Sequence, residues 1–301
     1  MTPQPPSIRA GRIAGSEARR AKLNSSQASP ALQVLLQMKG VIPLGMPVLI
    51  EMPDLYETVE LCQELELDFI ELNMNMPEFC PEAVDPGEIR DITQGTGIMF
   101  TLHSPDELDL GSLHPTVRQG YQDRMREAVG WSGQAGIRAI NMHMSPGIYF
   151  TLPDRRVWIY DRYVDRFTAN QWSSYADLIP FAKASGMELC TENVNNFDLP
   201  FVAQAIDELC AMDDFYLTWD VGHDARSGYR EREVLLRHES RIRHMHLHDY
   251  NGKSDHQVPG TGTVDIKGML AFAQERGVRV LVEVKTAAAL RESVRAVRSM
   301  L

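Results

Sequence analysis

The stretch RIRHMHLHDYNGKSDHQVPGTGTVD, residues 241–265, decides how the rest of the chain is interpreted. It begins as a short strand and ends as a glycine-rich loop. Side chains alternate between the two faces of a strand, so His244, His246 and His248 share one face. Further potential ligands follow in the loop: Asp249, Asp255 and His256. Imidazole is the commonest protein ligand for transition metals, so this stretch predicts a metal-binding surface.

Outward from this stretch, short apolar runs alternate with longer amphipathic segments. Strands are predicted near 47–52, 68–73, 98–103, 137–143, 187–192, 215–220, 242–248 and 278–283. Helices are predicted near 55–66, 86–94, 115–135, 164–185, 200–212, 230–237, 266–276 and 287–300. Parallel strands need helical crossovers, and eight such repeats in roughly 260 residues match the size of a closed (β/α)₈ TIM barrel. An open doubly wound sheet is disfavoured because no G-x-G-x-x-G follows an early strand.

The first 40 residues differ in composition from the rest. Six basic residues and one acidic residue give them a net charge of +5, which leaves −16 for residues 41–301 of a chain whose total is −11. Early prolines and serines disfavour regular structure, although Ala31–Met38 could form a short amphipathic helix. We therefore expect one barrel domain, residues 41–301, preceded by an N-terminal extension, residues 1–40.

Bulk properties exclude several classes of protein. The acidic charge argues against a large nucleic-acid interface, and the absence of a long apolar run predicts no membrane span. The four cysteines are scattered without a C-x-x-C motif, which predicts a reducing, cytoplasmic location rather than a disulfide framework. The oligomeric state stays open, a homo-oligomer included.

The ends of the predicted strands carry the functional signal. Six of the eight end in a carboxylate or an imidazole: His103, His143, Glu192, Asp220, His246 and Glu283. In a parallel barrel all the C-terminal strand ends meet at one mouth, where barrel enzymes place their chemistry. A single histidine or glutamate at a strand end would have an ordinary structural explanation. Six such residues, each at the end of a different strand, predict a common site.

At these positions the sequence resembles the xylose-isomerase-like barrels. This family includes sugar and sugar-phosphate isomerases and epimerases, inosose dehydratases, and AP endonucleases of the endonuclease IV type. The motifs TENVNNFD, WDVGH, HMHLHD and VEVKT carry the resemblance. It implies that a divalent metal is held by Glu192, Asp220, His246 and Glu283. It further implies that His223 binds substrate or a second metal, and that His256 is the histidine of the family's H-x-x-x-G-x-G loop.

The reaction that this resemblance implies is the isomerisation or epimerisation of a sugar or polyol, phosphorylated or not. A metal that chelates a carbonyl and a neighbouring hydroxyl acidifies the C–H between them and stabilises an enediolate. Glu192 and Glu283, expected on opposing sides of the barrel, would combine ligation with acid–base catalysis. Mixed carboxylate and imidazole ligands suit Mn²⁺, Mg²⁺, Co²⁺ or Zn²⁺ without choosing among them.

Two other activities of the family stay open. Endonuclease IV proteins hold three zinc ions, and His103 and His143 occupy the positions of their additional ligands. However, Ser254 stands where that branch carries an aspartate, with Asp255 beside it. A metal-dependent lyase or dehydratase is the other alternative.

Two further residues bear on the choice of branch. The segment ENVNNFD is similar to one in ketose epimerases, where Asp198 would correspond to an acid that orients the substrate. Lys285 shares the strand face of Glu283 and is also a candidate site residue. Because the chain is acidic, we expect a small-molecule sugar or polyol as substrate rather than nucleic acid.

Overall fold

A computed structural model describes residues 42–301 of the chain. The N-terminal extension and the helix predicted at Ala31–Met38 lie outside the described residues. In chain order the strands are β1 (Leu44–Pro47), β2 (Phe69–Asn73), β3 (Met99–His103), β4 (Ala139–His143), β5 (Tyr149–Thr151), β6 (Arg156–Trp158), β7 (Glu188–Glu192), β8 (Phe215–Asp220), β9 (Ile242–Leu247) and β10 (Arg279–Val282).

The helices that follow the strands agree closely with the predicted ranges. They are α1 (Leu55–Glu64), α2 (Pro86–Thr96), α3 (Pro115–Ala135), α4 (Ile159–Arg162), α5 (Val164–Ala184), α6 (Pro200–Leu209), α7 (Val221–Arg226), α8 (Arg232–Arg237), α9 (Ile266–Arg276) and α10 (Ala287–Met300). Local chemistry explains several helix starts: Asp265 accepts a hydrogen bond from the backbone N–H of Gly268, and Pro200 occupies the first turn of α6.

Eight of the strands close into a parallel barrel in the order β1-β10-β9-β8-β7-β4-β3-β2. The predicted (β/α)₈ fold is therefore confirmed. Outward-facing residues of the strands pack against the helices; Trp219 of β8, for example, meets Phe272 of α9 with ring centroids 5.3 Å apart. The C-terminal ends of the eight strands face the same end of the barrel, and this arrangement positions the site.

The first strand was predicted three residues too late. The more apolar run at 47–52 belongs to a loop in which Ile50 is 80% exposed, whereas the strand itself is LGMP. Glycine is required there by packing, because a Cβ on Gly45 would overlap the ring of Phe69 on β2. Tertiary contact therefore outweighs the weak intrinsic strand preference of glycine and proline at this position.

The long segment after β4 contains an antiparallel hairpin, β5 and β6, that the sequence did not predict. Apolar side chains are exposed on this segment, including Phe150 of β5 and Ile148 just before it. Within residues 42–301 no helix is both long enough and apolar enough to cross a bilayer. All four cysteines have free thiols.

Candidate metal centre

Three of the four residues predicted to hold a metal surround a nitrogen atom of the fourth, His246. His246 Nδ1 lies 3.0 Å from Glu283 Oε2, 3.3 Å from Glu192 Oε1 and 3.9 Å from Asp220 Oδ2. Each residue comes from the end of a different strand, β7 to β10, or directly follows it. Glu192, Asp220 and His246 are buried, and Glu283 keeps a small exposed surface at the mouth. The barrel thus brings together the residues that the sequence proposed.

The chemistry of this group fits a divalent cation. Three carboxylates this close together and largely shielded from solvent repel one another unless a positive charge lies between them. His246 Nδ1 is buried and has no hydrogen-bond partner, although all three carboxylates surround it. Oxygen and imidazole donors together suit Mn²⁺, Mg²⁺, Co²⁺ or Zn²⁺, and ligand type alone does not select one.

Electrostatic coupling ties the protonation of these groups together. Burial alone would raise the carboxyl pKa of Glu192 and Glu283, but His246 acts with other neighbours to hold both pKa values well below the usual range. These neighbours are His143 and His103 at Glu192, and Lys285 and His256 at Glu283. Burial alone would lower the pKa of His246, yet Glu192, Glu71 and Glu283 raise it well above its usual value. Without a cation, the His246 imidazolium is therefore the counter-ion of the carboxylates.

A second group of potential ligands adjoins the first through Glu192. Its second oxygen, Oε2, lies 3.5 Å from His103 Nε2 and 3.6 Å from His143 Nε2. Asp106 Oδ1 lies 3.8 Å and 3.6 Å from the Nδ1 atoms of the same two rings. Burial lowers the pKa of His103, but Glu192 outweighs it and raises that pKa to about 9. Asp106 was not identified from the sequence because it lies in a loop three residues beyond β3.

A third group lies on the opposite side of Asp220. Asp220 is the N-cap of helix α7: its Oδ1 accepts the backbone N–H of His223. The His223 ring Nε2 lies 3.7 Å from Asp220 Oδ2. The Asp255 carboxylate contacts two imidazole rings: its Oδ2 lies 3.4 Å from His223 Nδ1, and its Oδ1 lies 3.1 Å from His256 Nδ1. Arg226 pairs with the same carboxylate at 2.6 Å. Asp255 is thus positioned to orient imidazoles.

Three other residues of the sequence prediction have different surroundings. Lys285 Nζ lies 3.0 Å from Glu283 Oε1 at the mouth of the cavity. Asp198 instead forms an ion pair with Arg230 at 2.6 Å and does not line the cavity. Asp249 does not face the metal surface as predicted: its carboxylate accepts four backbone N–H groups of the following loop, those of Tyr250, Gly260, Gly262 and Val264.

The strand interiors supply residues that sequence reasoning missed. Glu71 of β2 lies 3.1 Å from His246 Nε2. The Asn141 side-chain amide of β4 donates to Glu192 Oε2. His248, which the sequence did identify, directly follows β9, and its Nε2 lies 3.0 Å from Asp220 Oδ1. The available signal was strand alternation: a glutamate or asparagine between apolar neighbours in a barrel strand points inward and needs a partner.

These residues border a cavity at the mouth of the barrel. Its volume is about 180 Å³, and its lining includes Glu71, His103, Glu192, His223 and Glu283. Lys285 is the one lysine or arginine among the lining residues within the described chain. The cavity can admit a small polar molecule next to the metal centre.

Comparisons with known proteins agree with the barrel fold. A family model described as xylose isomerase-like TIM barrel matches residues 59–300. An uncharacterised protein of Methanocaldococcus jannaschii is 24% identical over 178 residues, 58% of this chain and 66% of that protein. The inosose dehydratase of Serratia proteamaculans is 28% identical over 140 residues, 38% of this chain and 47% of that enzyme. The matches thus span about two thirds and about half of these relatives.

Solved structures share the fold at lower identity. A D-tagatose 3-epimerase-like protein has a TM-score of 0.70 and 20% identity, covering 86% of this chain and 97% of that one. The E. coli 3-keto-D-glucoside 4-epimerase has a TM-score of 0.66 and 16% identity, covering 86% and 100%. The zinc-bound IolI protein has a TM-score of 0.64 and 14% identity, covering 86% and 96%. The chain belongs to the family of xylose isomerase-like TIM barrels.

Proposed function

We propose that this chain is a metal-dependent isomerase or epimerase of a small sugar or polyol. The observation that carries the proposal is the approach of Glu192 and Glu283 to the same nitrogen, His246 Nδ1, at 3.3 Å and 3.0 Å. Their strands, β7 and β10, are separated by β8 and β9 in the barrel. Two carboxylates can thus reach a substrate in the cavity from different directions.

Glu192, Asp220, His246 and Glu283 would hold the cation. A bound cation at this place would polarise a substrate carbonyl and acidify the neighbouring C–H. One glutamate would take that proton and the other would return a proton to the opposite face of the same carbon, which inverts its configuration.

Neighbouring residues would orient the substrate and the two glutamates. Glu283 Oε1 lies 3.1 Å from His256 Nε2 and 3.0 Å from Lys285 Nζ, whereas Glu192 accepts from Asn141. His223, with Asn195 Nδ2 3.2 Å from its Nδ1, would bind a substrate hydroxyl. The single lysine of the lining is engaged by Glu283, which favours an uncharged sugar over a phosphorylated one.

Elimination of water next to a carbonyl begins with the removal of the same proton. A dehydratase is therefore a close variant of this proposal, and one relative carries that name. An endonuclease IV-like phosphodiesterase is the second candidate. The specific observation in its favour is the His103–Asp106–His143 group, which together with Glu192 could hold another cation. Metal-activated water would then attack a phosphodiester.

The test combines metal analysis with an isotope experiment. Protein purified without chelator should contain about one divalent cation per chain, as one four-residue ligand set implies. Incubation with a panel of ketoses and inososes in D₂O should place deuterium on carbon in at least one of them, and removal of the cation should stop this. About three zinc ions per chain, with incision of abasic duplex DNA and no C–H exchange, would instead establish the phosphodiesterase.

A further inference from the structure

Glu71 lies beneath the candidate metal centre, inside the barrel. It is in the middle of β2 and only 3% of its surface is exposed. Its Oε1 lies 3.1 Å from His246 Nε2, and its Oε2 lies 3.2 Å from His244 Nε2. Thr101 of β3 donates its hydroxyl to Oε2 at 3.0 Å. A buried carboxylate without Lys or Arg among these partners is costly, so its placement calls for an explanation.

The contact with His246 determines which ring nitrogen can bind a cation. An ionised carboxylate only accepts hydrogen bonds, so the Nε2 that faces Glu71 must carry the hydrogen. In the neutral imidazole Nδ1 then carries the lone pair, and Nδ1 is the atom that faces Glu192, Asp220 and Glu283. The Asn141 amide nitrogen is 3.3 Å from Nε2 but donates to Glu192 instead.

We infer that Glu71 is a positioning residue: it fixes His246 in the Nε2-protonated tautomer and so strengthens cation binding at Nδ1. His244 and Thr101 contact the other oxygen and keep the carboxylate from turning away from His246. A metal-binding histidine commonly donates its second N–H to a carboxylate, which orients the ring and raises its basicity. The inference rests on the proposed function, because it assumes a cation among the four residues.

The experiment measures the affinity of the full chain for Co²⁺ and Zn²⁺ alone, by competition with a chromophoric chelator. Glu71→Gln keeps the size of the side chain and removes its charge, and should weaken cation binding roughly 10–100-fold. Thr101→Val removes one of the two contacts to Oε2 and leaves that of His244, so it should weaken binding less; it serves as a second variant if Glu71→Gln folds poorly. Asp68→Asn is the matched control: Asp68 directly precedes β2, at the other end of the barrel, and accepts from the backbone of Leu44.

The outcomes separate this inference from the function on which it rests. Weaker binding in Glu71→Gln, unchanged binding in Asp68→Asn, and recovery of turnover at saturating Co²⁺ would support the positioning role. Wild-type affinity in a folded Glu71→Gln would overturn this inference alone. Lost turnover at wild-type affinity would also overturn it, because Glu71 would then act on the substrate. Failure of the wild-type chain to bind either cation would overturn both proposals.

Discussion

The imidazole ring of His256 lies flat on that of His248, with centroids 4.2 Å apart and planes inclined by 10°. The backbone N–H of His256 donates to His248 Nδ1 at 2.8 Å, so the hydrogen of a neutral His248 ring is on Nε2. Nε2 lies 3.0 Å from Asp220 Oδ1. The loop that carries His256 is therefore attached to the metal centre through His248. Substitutions can test both the packing of the His248 ring and the folding of the loop that carries His256.

Gly222→Ala should damage the centre through His248. Gly222 directly follows Val221 at the start of α7, and an added Cβ would overlap the His248 ring, which is completely buried. Overpacking of this kind should lower the free energy of unfolding by about 1–3 kcal/mol and reduce turnover. Urea denaturation and kinetics check both effects. Gly130→Ala is the control: it lies inside α3 with no atom within 4 Å of the added Cβ, and should be neutral or stabilising.

Asp249→Asn should loosen the loop without removing a predicted ligand. The two carboxylate oxygens accept four backbone N–H groups at 2.8–3.0 Å, and an amide would turn its NH₂ toward two of these donors. We expect about 1–3 kcal/mol lower stability, faster proteolysis within residues 250–264, and lower turnover as His256 loses its place beside Glu283. Cation affinity should change little, because the ligands belong to the strands. A large loss of cation affinity would contradict this division of roles.

Glu192→Gln and Glu283→Gln should each reduce turnover by roughly 10²–10⁴-fold, because glutamine keeps one oxygen ligand but cannot take up a proton. Substrate binding, measured calorimetrically, should be less affected. Glu188→Gln is the control at the other end of β7: Glu188 pairs with Arg279 at 2.6 Å, so its loss should affect stability rather than turnover. Deuterium exchange at the wild-type rate in both site variants would exclude the acid–base roles.

Cation binding should release protons. The carboxylates raise the pKa of His246 well above its usual value, so the ring is protonated at neutral pH in the cation-free protein. A cation must displace that proton, and binding should therefore weaken as the pH falls. Calorimetry at pH 7 in two buffers of different ionisation enthalpy should reveal about one proton released per cation.

The His246→Ala variant should bind no cation, although its barrel should still fold. Binding without proton release would show that His246 is not a ligand.

How far the sequence predicts this site depends on where a residue lies in its strand. Strand ends could be predicted because a parallel barrel must bring them to one mouth, whatever their exact register. Glu71 could not be found in this way, because it lies within FIELN, between Ile70 and Leu72, and reads as part of an ordinary buried strand. Its partner His244 is far along the chain, and only the closed barrel, which places β2 and β9 across its interior, makes them neighbours.

The choice between sugar and nucleic acid follows from charge. A nuclease must neutralise several phosphates, and its DNA affinity falls steeply with added salt. Residues 41–301 carry a net charge of −16, and Lys285 is the one lysine or arginine in the described lining of the mouth. On the β5–β6 hairpin, Arg155 pairs with Asp154 and Arg156 lies over the ring of Tyr149.

We therefore expect no incision of abasic duplex DNA by the cation-loaded chain, and at most salt-sensitive binding through residues 1–40. Cation-dependent C–H exchange in a sugar or polyol should occur under the same conditions. Efficient incision at moderate salt that persists after removal of residues 1–40 would reverse the choice of a sugar over nucleic acid as substrate, because the barrel itself would then bind the phosphates.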